Sequence, residues 1–261
     1  MAKLSILIPS RNEKFLTNTI SDILLNIEDD TEIIVGLDGG EGIVGDSKYP
    51  VSFYYSPTSL GNRGMTNQLC KLSKAKYVMK VDAHCAFDKG FDRKMMDEMQ
   101  DDWTMVPMMY NLGQDFKPRL NRCSWNWIFN KNLDFKLGDG CHDTPAEKDL
   151  VETPALLGAC FMTTRDRWWE LNICDEDYGS WAQQWTEVAL KSWQKGKLMC
   201  NRKTWFSHLY RLKTEIPYPQ DHDEENEQAK RLIRERFDID AFFKRFPLKE
   251  KLGDDNWDFY R

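Results

Sequence analysis

The sequence predicts an α/β domain: a mixed, mostly parallel sheet flanked by helices. Three observations carry that expectation. Between residues 3 and 84, continuous apolar runs of strand length alternate with segments of helical spacing. Glycine-rich or Asp-Gly turns punctuate the alternation. Two of the runs end on an aspartate, at Asp38 and Asp82, which is where open α/β sheets present their ligand-binding edge.

Each element follows from its local pattern. "KLSILIPSRNE" is an unbroken apolar run closed by Pro9, as expected of a strand buried on both faces. "FLTNTISDILLNI" (15–27) has apolar groups at helical spacing, and "EIIVGLDGG" reads as a second buried strand ended by a turn. "VSFYYS" is a short third strand, "GNRGMTNQLCKLSKA" a helix entered through a glycine-rich turn, and "KYVMKVDAH" a fourth strand. Further on, "TMVPMMYN" and "ALLGACFMTT" read as strands, with a polar loop over 137–150 between them. A Trp-rich helix begins near 166, "WTEVALKSWQKG" is a helix with a glycine stop, and "EENEQAKRLIRERF" closes the readable pattern as a helix. The expected organisation is a catalytic domain over 1–220 with a helical extension over 221–261 packed on it.

Composition narrows the classes. With 261 residues and 41% apolar side chains the chain has ample material for a core. Its 36 basic and 42 acidic residues give a net charge of −6, which argues against wrapping long duplex nucleic acid. A local basic stretch over 230–251, including Lys230, Arg231, Arg234, Lys244 and Arg245, reads first as a solvated helix face. Seven scattered cysteines without a CxxC give neither a disulfide framework nor a zinc knuckle, and point to reduced thiols in a cytoplasmic protein. The apolar run "LSILI" is too short for a signal-peptide core or a membrane span, so no membrane partner is expected.

The chemistry concentrates in "KVDAHC". Asp82 and His84 stand two apart at a strand end and so share a face. A carboxylate with an imidazole suits Mn²⁺ or Mg²⁺, although D-x-H alone is equally an ordinary polar strand end. His208, one of only four histidines, ends the aromatic run "TWFSHLYR" and is a candidate third ligand. An ion with open positions takes a diphosphate naturally. Asp38 is a candidate for reading a nucleoside, or is a turn-forming Asp before two glycines. Arg63 is a candidate phosphate partner, or an exposed charge at a helix start.

Together "ILIPSRNE", "EIIVGLDGG", "GNRGMTNQLCKLSKAKYVMKVDAHC", "TPALLGACFMTTRDRW", "WAQQWTEVALKSWQKG" and "SHLYR" resemble the GT-A nucleotide-sugar glycosyltransferases. Within that group they are most similar to the polypeptide N-acetylgalactosaminyltransferases, whose metal motif is also D-x-H followed by Cys. The resemblance spans roughly residues 3–220. It implies Asp82, His84 and His208 as metal ligands and a UDP-sugar as donor. It implies donor contacts from Pro9, Arg11, Glu13, Asp38, Arg63, Gly158, Ala159 and Trp181. Arg211 and Tyr218 match residues that close over the diphosphate.

The chain also departs from the family. Its Glu-Asn pair is Gln184 and Trp185 here, so Trp185 cannot serve as the acceptor base that related inverting enzymes place there. Glu187 is the nearest carboxylate, either a base or a brace for its helix. The family's membrane anchor and lectin domain are not in the sequence, so a Golgi role does not follow from the resemblance. The acceptor is expected to be a hydroxyl on a protein, a glycan or a hydroxymethylated DNA base. A sugar-phosphate nucleotidyltransferase is the competing enzyme class, but "PSRNEK" lacks the glycine-rich phosphate loop it would want. An inactive nucleotide-sugar-binding module is the third reading. The loop 137–150 and the segment 211–251 are expected to border the acceptor side.

Overall fold

The structure, a computed structural model, describes residues 2–39, 50–124, 127–137, 148–211 and 223–247. The chain begins with β1 (Leu4–Ser10), α1 (Leu16–Asn26), β2 (Thr31–Asp38), β3 (Val51–Ser56), α2 (Gly61–Leu72) and β4 (Tyr77–Val81). These strands lie side by side in the order β3–β2–β1–β4, all parallel. Every residue of β1 is buried, because helices cover both faces of a parallel sheet. The fit beneath α2 is close: a Cβ added at Gly36 of β2 would lie 2.3 Å from the Met65 sulfur.

β1 does not stop at Pro9 as the sequence suggests. Its pairing with β2 continues through Ser10, whereas its pairing with β4 ends at Leu7. Pro9, which has no N–H to donate, therefore falls where one neighbour is already missing.

The second half runs through β5 (Cys85–Phe87), α3 (Phe91–Glu98), β6 (Trp103–Leu112), β7 (Pro118–Ser124), β8 (Trp127–Phe129), β9 (Phe135–Leu137), β10 (Leu150–Glu152) and β11 (Cys160–Thr164). Then come α4 (Arg165–Glu170), a 3-10 turn (Glu176–Tyr178), α5 (Gln184–Gln194), β12 (Lys197–His208), α6 (Asp223–Arg236) and α7 (Ile239–Arg245). The ten-stranded sheet continues β4–β11–β6–β12–β10, with β5 on β12 and β7 on β6; β8 and β9 form a separate pair. β11 is antiparallel to both neighbours, so the sheet is mixed on this side.

The run "ALLGACFMTT" is a strand only from Cys160 onward. Its first half bends across the end of β4, where the Ala159 carbonyl accepts from the Asp82 N–H at 2.8 Å. α6 and α7 bury Ala229, Ile233, Phe237 and Phe242 in the same hydrophobic core as the sheet, with Phe242 stacked on Phe129 at 4.5 Å. No helix among the described residues is long and apolar enough to cross a membrane.

Candidate functional site

β1, β2 and β4 end at one edge of the sheet, and their last residues and following loops carry Ser10, Arg11, Glu13, Asp38 and Asp82 to it. β5 and β12 bring the second group. They pair antiparallel with Cys85 opposite His208, and the Leu209 N–H bonds the His84 carbonyl at 3.1 Å. That register sets two histidines 124 positions apart ring against ring, with centroids 4.9 Å apart.

The resulting cluster of Asp82, His84 and His208 has one ligand atom from each residue within 4.8 Å of the others. The two Nε2 atoms are 3.1 Å apart. Asp82 Oδ2 lies 3.4 Å from His208 Nε2 and 3.9 Å from His84 Nε2. Burial first, and then the neighbouring His84, push the His208 imidazole down to about 4 against the pull of Asp82. Burial would raise the Asp82 carboxyl, but the Lys80 ammonium, with His208 and His84, holds it well below the usual carboxylate range. At neutral pH the cluster therefore offers one anionic oxygen and imidazole lone pairs. A divalent ion satisfies these convergent lone pairs, and donors about 2.1 Å from an ion at right angles stand roughly 3 Å apart, as the nitrogens do. The residues fit a divalent metal. Glu13 Oε2 sits 3.6 Å from His84 Nδ1, on the far side of the ring, where a carboxylate steadies a ligating imidazole.

Above the cluster opens a cavity of about 420 Å³. Pro9, Arg11, Glu13, Asp38, Asp82, His84, Trp181, His208 and Arg211 all line it. Arg211 bonds both Glu13 oxygens at 2.7 Å, and Arg11 reaches Ser59 at 3.2 Å. Asp38 accepts from the Leu60 N–H at 2.6 Å, the Gly61 N–H at 3.1 Å and the Ser59 hydroxyl at 2.8 Å. Its carboxylate thus fastens the start of α2 as well as facing the cavity.

Two expected site residues are elsewhere. Arg63 is fully buried and absent from the cavity wall; its guanidinium bonds Glu187 at 2.7 Å and the carbonyls of Ala182 and Gly179. It is neither a phosphate partner here nor an exposed helix-start charge. Glu187 is also fully buried, held by Arg63, by Lys191 and by the Asp175 N–H. It is a brace, not an acceptor base, because both oxygens are committed and water is excluded.

Gln184 is buried just behind the wall, its amide nitrogen on Asn62 at 3.2 Å, and its oxygen has no hydrogen-bond partner among the described residues. Gly158 and Ala159 form the turn across the end of β4, where the Gly158 carbonyl accepts from Lys80 at 2.6 Å. Trp181, 40% exposed, stands edge-on to Trp185 with centroids 5.1 Å apart. Its loop is seated tightly: a Cβ at Gly61 would meet the Ser180 Cβ at 2.6 Å, and Glu225 of α6 accepts from the Ser180 N–H. Tyr218 and the segment 212–222 lie outside the described residues, as do 138–147 of the expected acceptor-side loop.

Sequence reasoning missed Lys80, whose position inside an apolar strand gives no sign that it reaches the metal cluster. It also missed Ser59 and Leu60, which meet Asp38 through the fold alone.

Residues 5–151 match the family described as Glycosyl transferase family 2. The chain belongs to glycosyl transferase family 2. No curated protein sequence matches it. Among solved structures, the crystal structure of GalNAc-T7 with UDP, GalNAc and Mn²⁺ is similar, with a TM-score of 0.72 at 16% sequence identity. That match covers 89% of this chain and 48% of GalNAc-T7, so the chain spans about half the length of that protein. The likeness establishes the GT-A fold, and Asp82 and His84 supply this family 2 member with a D-x-H motif.

Proposed function

We propose that this family 2 chain transfers a sugar from a UDP-sugar to a hydroxyl acceptor, with Mn²⁺ or Mg²⁺ bound by Asp82, His84 and His208. One observation carries the reading: a buried carboxylate–imidazole cluster opens into a cavity edged by two arginines at the ends of parallel strands. When bound, the ion neutralises charge developing on the departing diphosphate. Arg11 and Arg211 border the same space and supply positive charge there, Arg211 held in place by Glu13. Asp38, already bonded to the start of α2, presents its carboxylate edge to the nucleoside. Trp181 and the Gly158–Ala159 turn bound the sugar side, with Gln184 behind them. The UDP and Mn²⁺ in GalNAc-T7 support this choice of donor and ion.

With Glu187 committed to its brace, none of the described carboxylates lining the cavity other than Glu13, Asp38 and Asp82 is available to the acceptor, and each of these has another task. We therefore favour a retaining transfer. For the acceptor we favour a peptide or glycan hydroxyl over a hydroxymethylated DNA base. Lys230 is spent on Asp134 and Glu227, Arg245 stacks on Trp193 at 4.4 Å, and the net charge is −6. The five buried free cysteines among the described residues fit a cytoplasmic place of action.

The test is incubation with Mn²⁺ and a panel of nucleotide sugars, following release of free nucleotide. Slow UDP release with one donor, lost in EDTA, is the expected result. Release of pyrophosphate with a sugar phosphate and UTP would favour the nucleotidyltransferase reading instead. Binding of UDP-sugar without turnover toward any acceptor would favour a binding module, and no nucleotide binding at all would sink the proposal.

A further inference from the structure

Lys80 and Asp82 stand two apart at the end of β4 and share a face. The Lys80 side chain is 1% exposed, and its ammonium bonds Asp82 Oδ1 and the Gly158 carbonyl. Two consequences follow. Asp82 is left with Oδ2 alone turned toward the imidazoles, so it meets an ion through one oxygen. The charge of the ligand set is also cancelled in advance: one carboxylate, two neutral imidazoles and one buried ammonium sum to zero. Around the cavity the balance repeats, with Glu13 against Arg211 and Asp38 accompanied by Arg11. A dication entering this cluster adds uncompensated positive charge beside a buried ammonium, where screening by water is weak. A diphosphate entering with the ion supplies the missing negative charge.

We propose that Lys80 makes the Asp82–His84–His208 cluster bind a divalent ion weakly by itself and tightly only together with a nucleoside diphosphate. The inference rests on the glycosyl-transfer reading of the site and adds an order to it: metal and donor load as one unit. Lys80 acts through Asp82 and is a positioning residue. If it served only to pin the Gly158 turn, the sign of its charge toward the ion would not matter.

Mn²⁺ binding, measured by the electron paramagnetic resonance of the free ion with and without UDP, needs no turnover. For the unaltered protein, UDP should tighten Mn²⁺ binding roughly 10- to 100-fold, and Mn²⁺ should tighten UDP by the same factor. Lys80→Met and Lys80→Gln should bind Mn²⁺ alone about tenfold more tightly and lose a matching part of the UDP effect. Lys80→Arg, which keeps the charge, should retain the coupling. Equal Mn²⁺ affinity with and without UDP in the unaltered protein would overturn the role of Lys80 even if no variant folds. Weaker or unchanged Mn²⁺ binding in folded Lys80→Met would overturn it too. Absence of any Mn²⁺ or UDP binding would instead remove the glycosyl-transfer reading beneath it.

Discussion

Asp82 and Glu187 are both carboxylates paired with a buried cation, and the two pairs differ in what each leaves over. Glu187 gives one oxygen to Arg63 and the other to Lys191 and a backbone N–H, at zero exposure. Asp82 gives Oδ1 to Lys80 and keeps Oδ2 facing two imidazoles at the mouth of a cavity. Both acids occupy positions that a family resemblance marks as important. Only the rim pair has spare ligating capacity, so chemistry belongs there. The inner pair joins α2 to α5 and seats the Trp181 loop from below.

That contrast can be broken from either side. Glu187→Ala leaves Arg63 and Lys191 buried without their partner and should cost about 3–5 kcal/mol of stability, measured by urea unfolding. Retention of full stability would show that the inner cluster is not a brace. His208→Ala should do the reverse, lowering metal-dependent UDP release by roughly 100- to 1,000-fold while the unfolding midpoint moves little. A comparable fall in stability would blur the distinction between rim and interior.

Acid should also act on the rim. In EDTA-treated protein the unfolded chain holds His208 near its ordinary 6.5 and Asp82 near 3.8, while the folded site resists protonating either. Their contribution is complete above pH 6.5 and is lost as pH falls toward 4 and below, on the order of 3 kcal/mol for His208. Mn²⁺ with UDP should shift that loss to lower pH, and a flat profile in EDTA would count against the assignment. A smaller effect is expected from Glu225→Gln, which weakens the hold of α6 on Ser180: about 1–2 kcal/mol locally, read as a several-fold rise in donor KM with kcat nearly unchanged. The smallest is expected from neutralising Arg231 and Lys244. If the acceptor is a peptide or glycan, turnover should change by less than about twofold at any salt concentration, whereas a steep salt dependence would restore the nucleic-acid reading.

The donor half was largely legible in the sequence because its elements are local. Uninterrupted apolar runs specify β1, β2 and β4, and the aspartates at their ends mark the edge where ligands bind. The second half depends on contacts that no local pattern encodes. "ALLGA" is as apolar as a strand, yet its carbonyls go to Asp82 and Lys80 instead of a neighbouring strand. The three residues of β5 are too short to carry a period, although their register with β12 is what joins His84 to His208. Arg63 and Glu187 lie 124 positions apart, and nothing near either predicts that the other will saturate it.

The close approach of Gly61 to Ser180 has a consequence for engineering. The Arg63 N–H bonds the Ser180 carbonyl at 3.0 Å, and Gly61, at φ +73°, leaves no room for a methyl group between the two backbones. Segments 59–63 and 179–187 therefore form a single module in space. A chimaera that borrows the Trp181 loop from a relative to change sugar choice should bring the 59–63 turn with it. Cutting between them would set foreign side chains against a surface shaped for bare backbone.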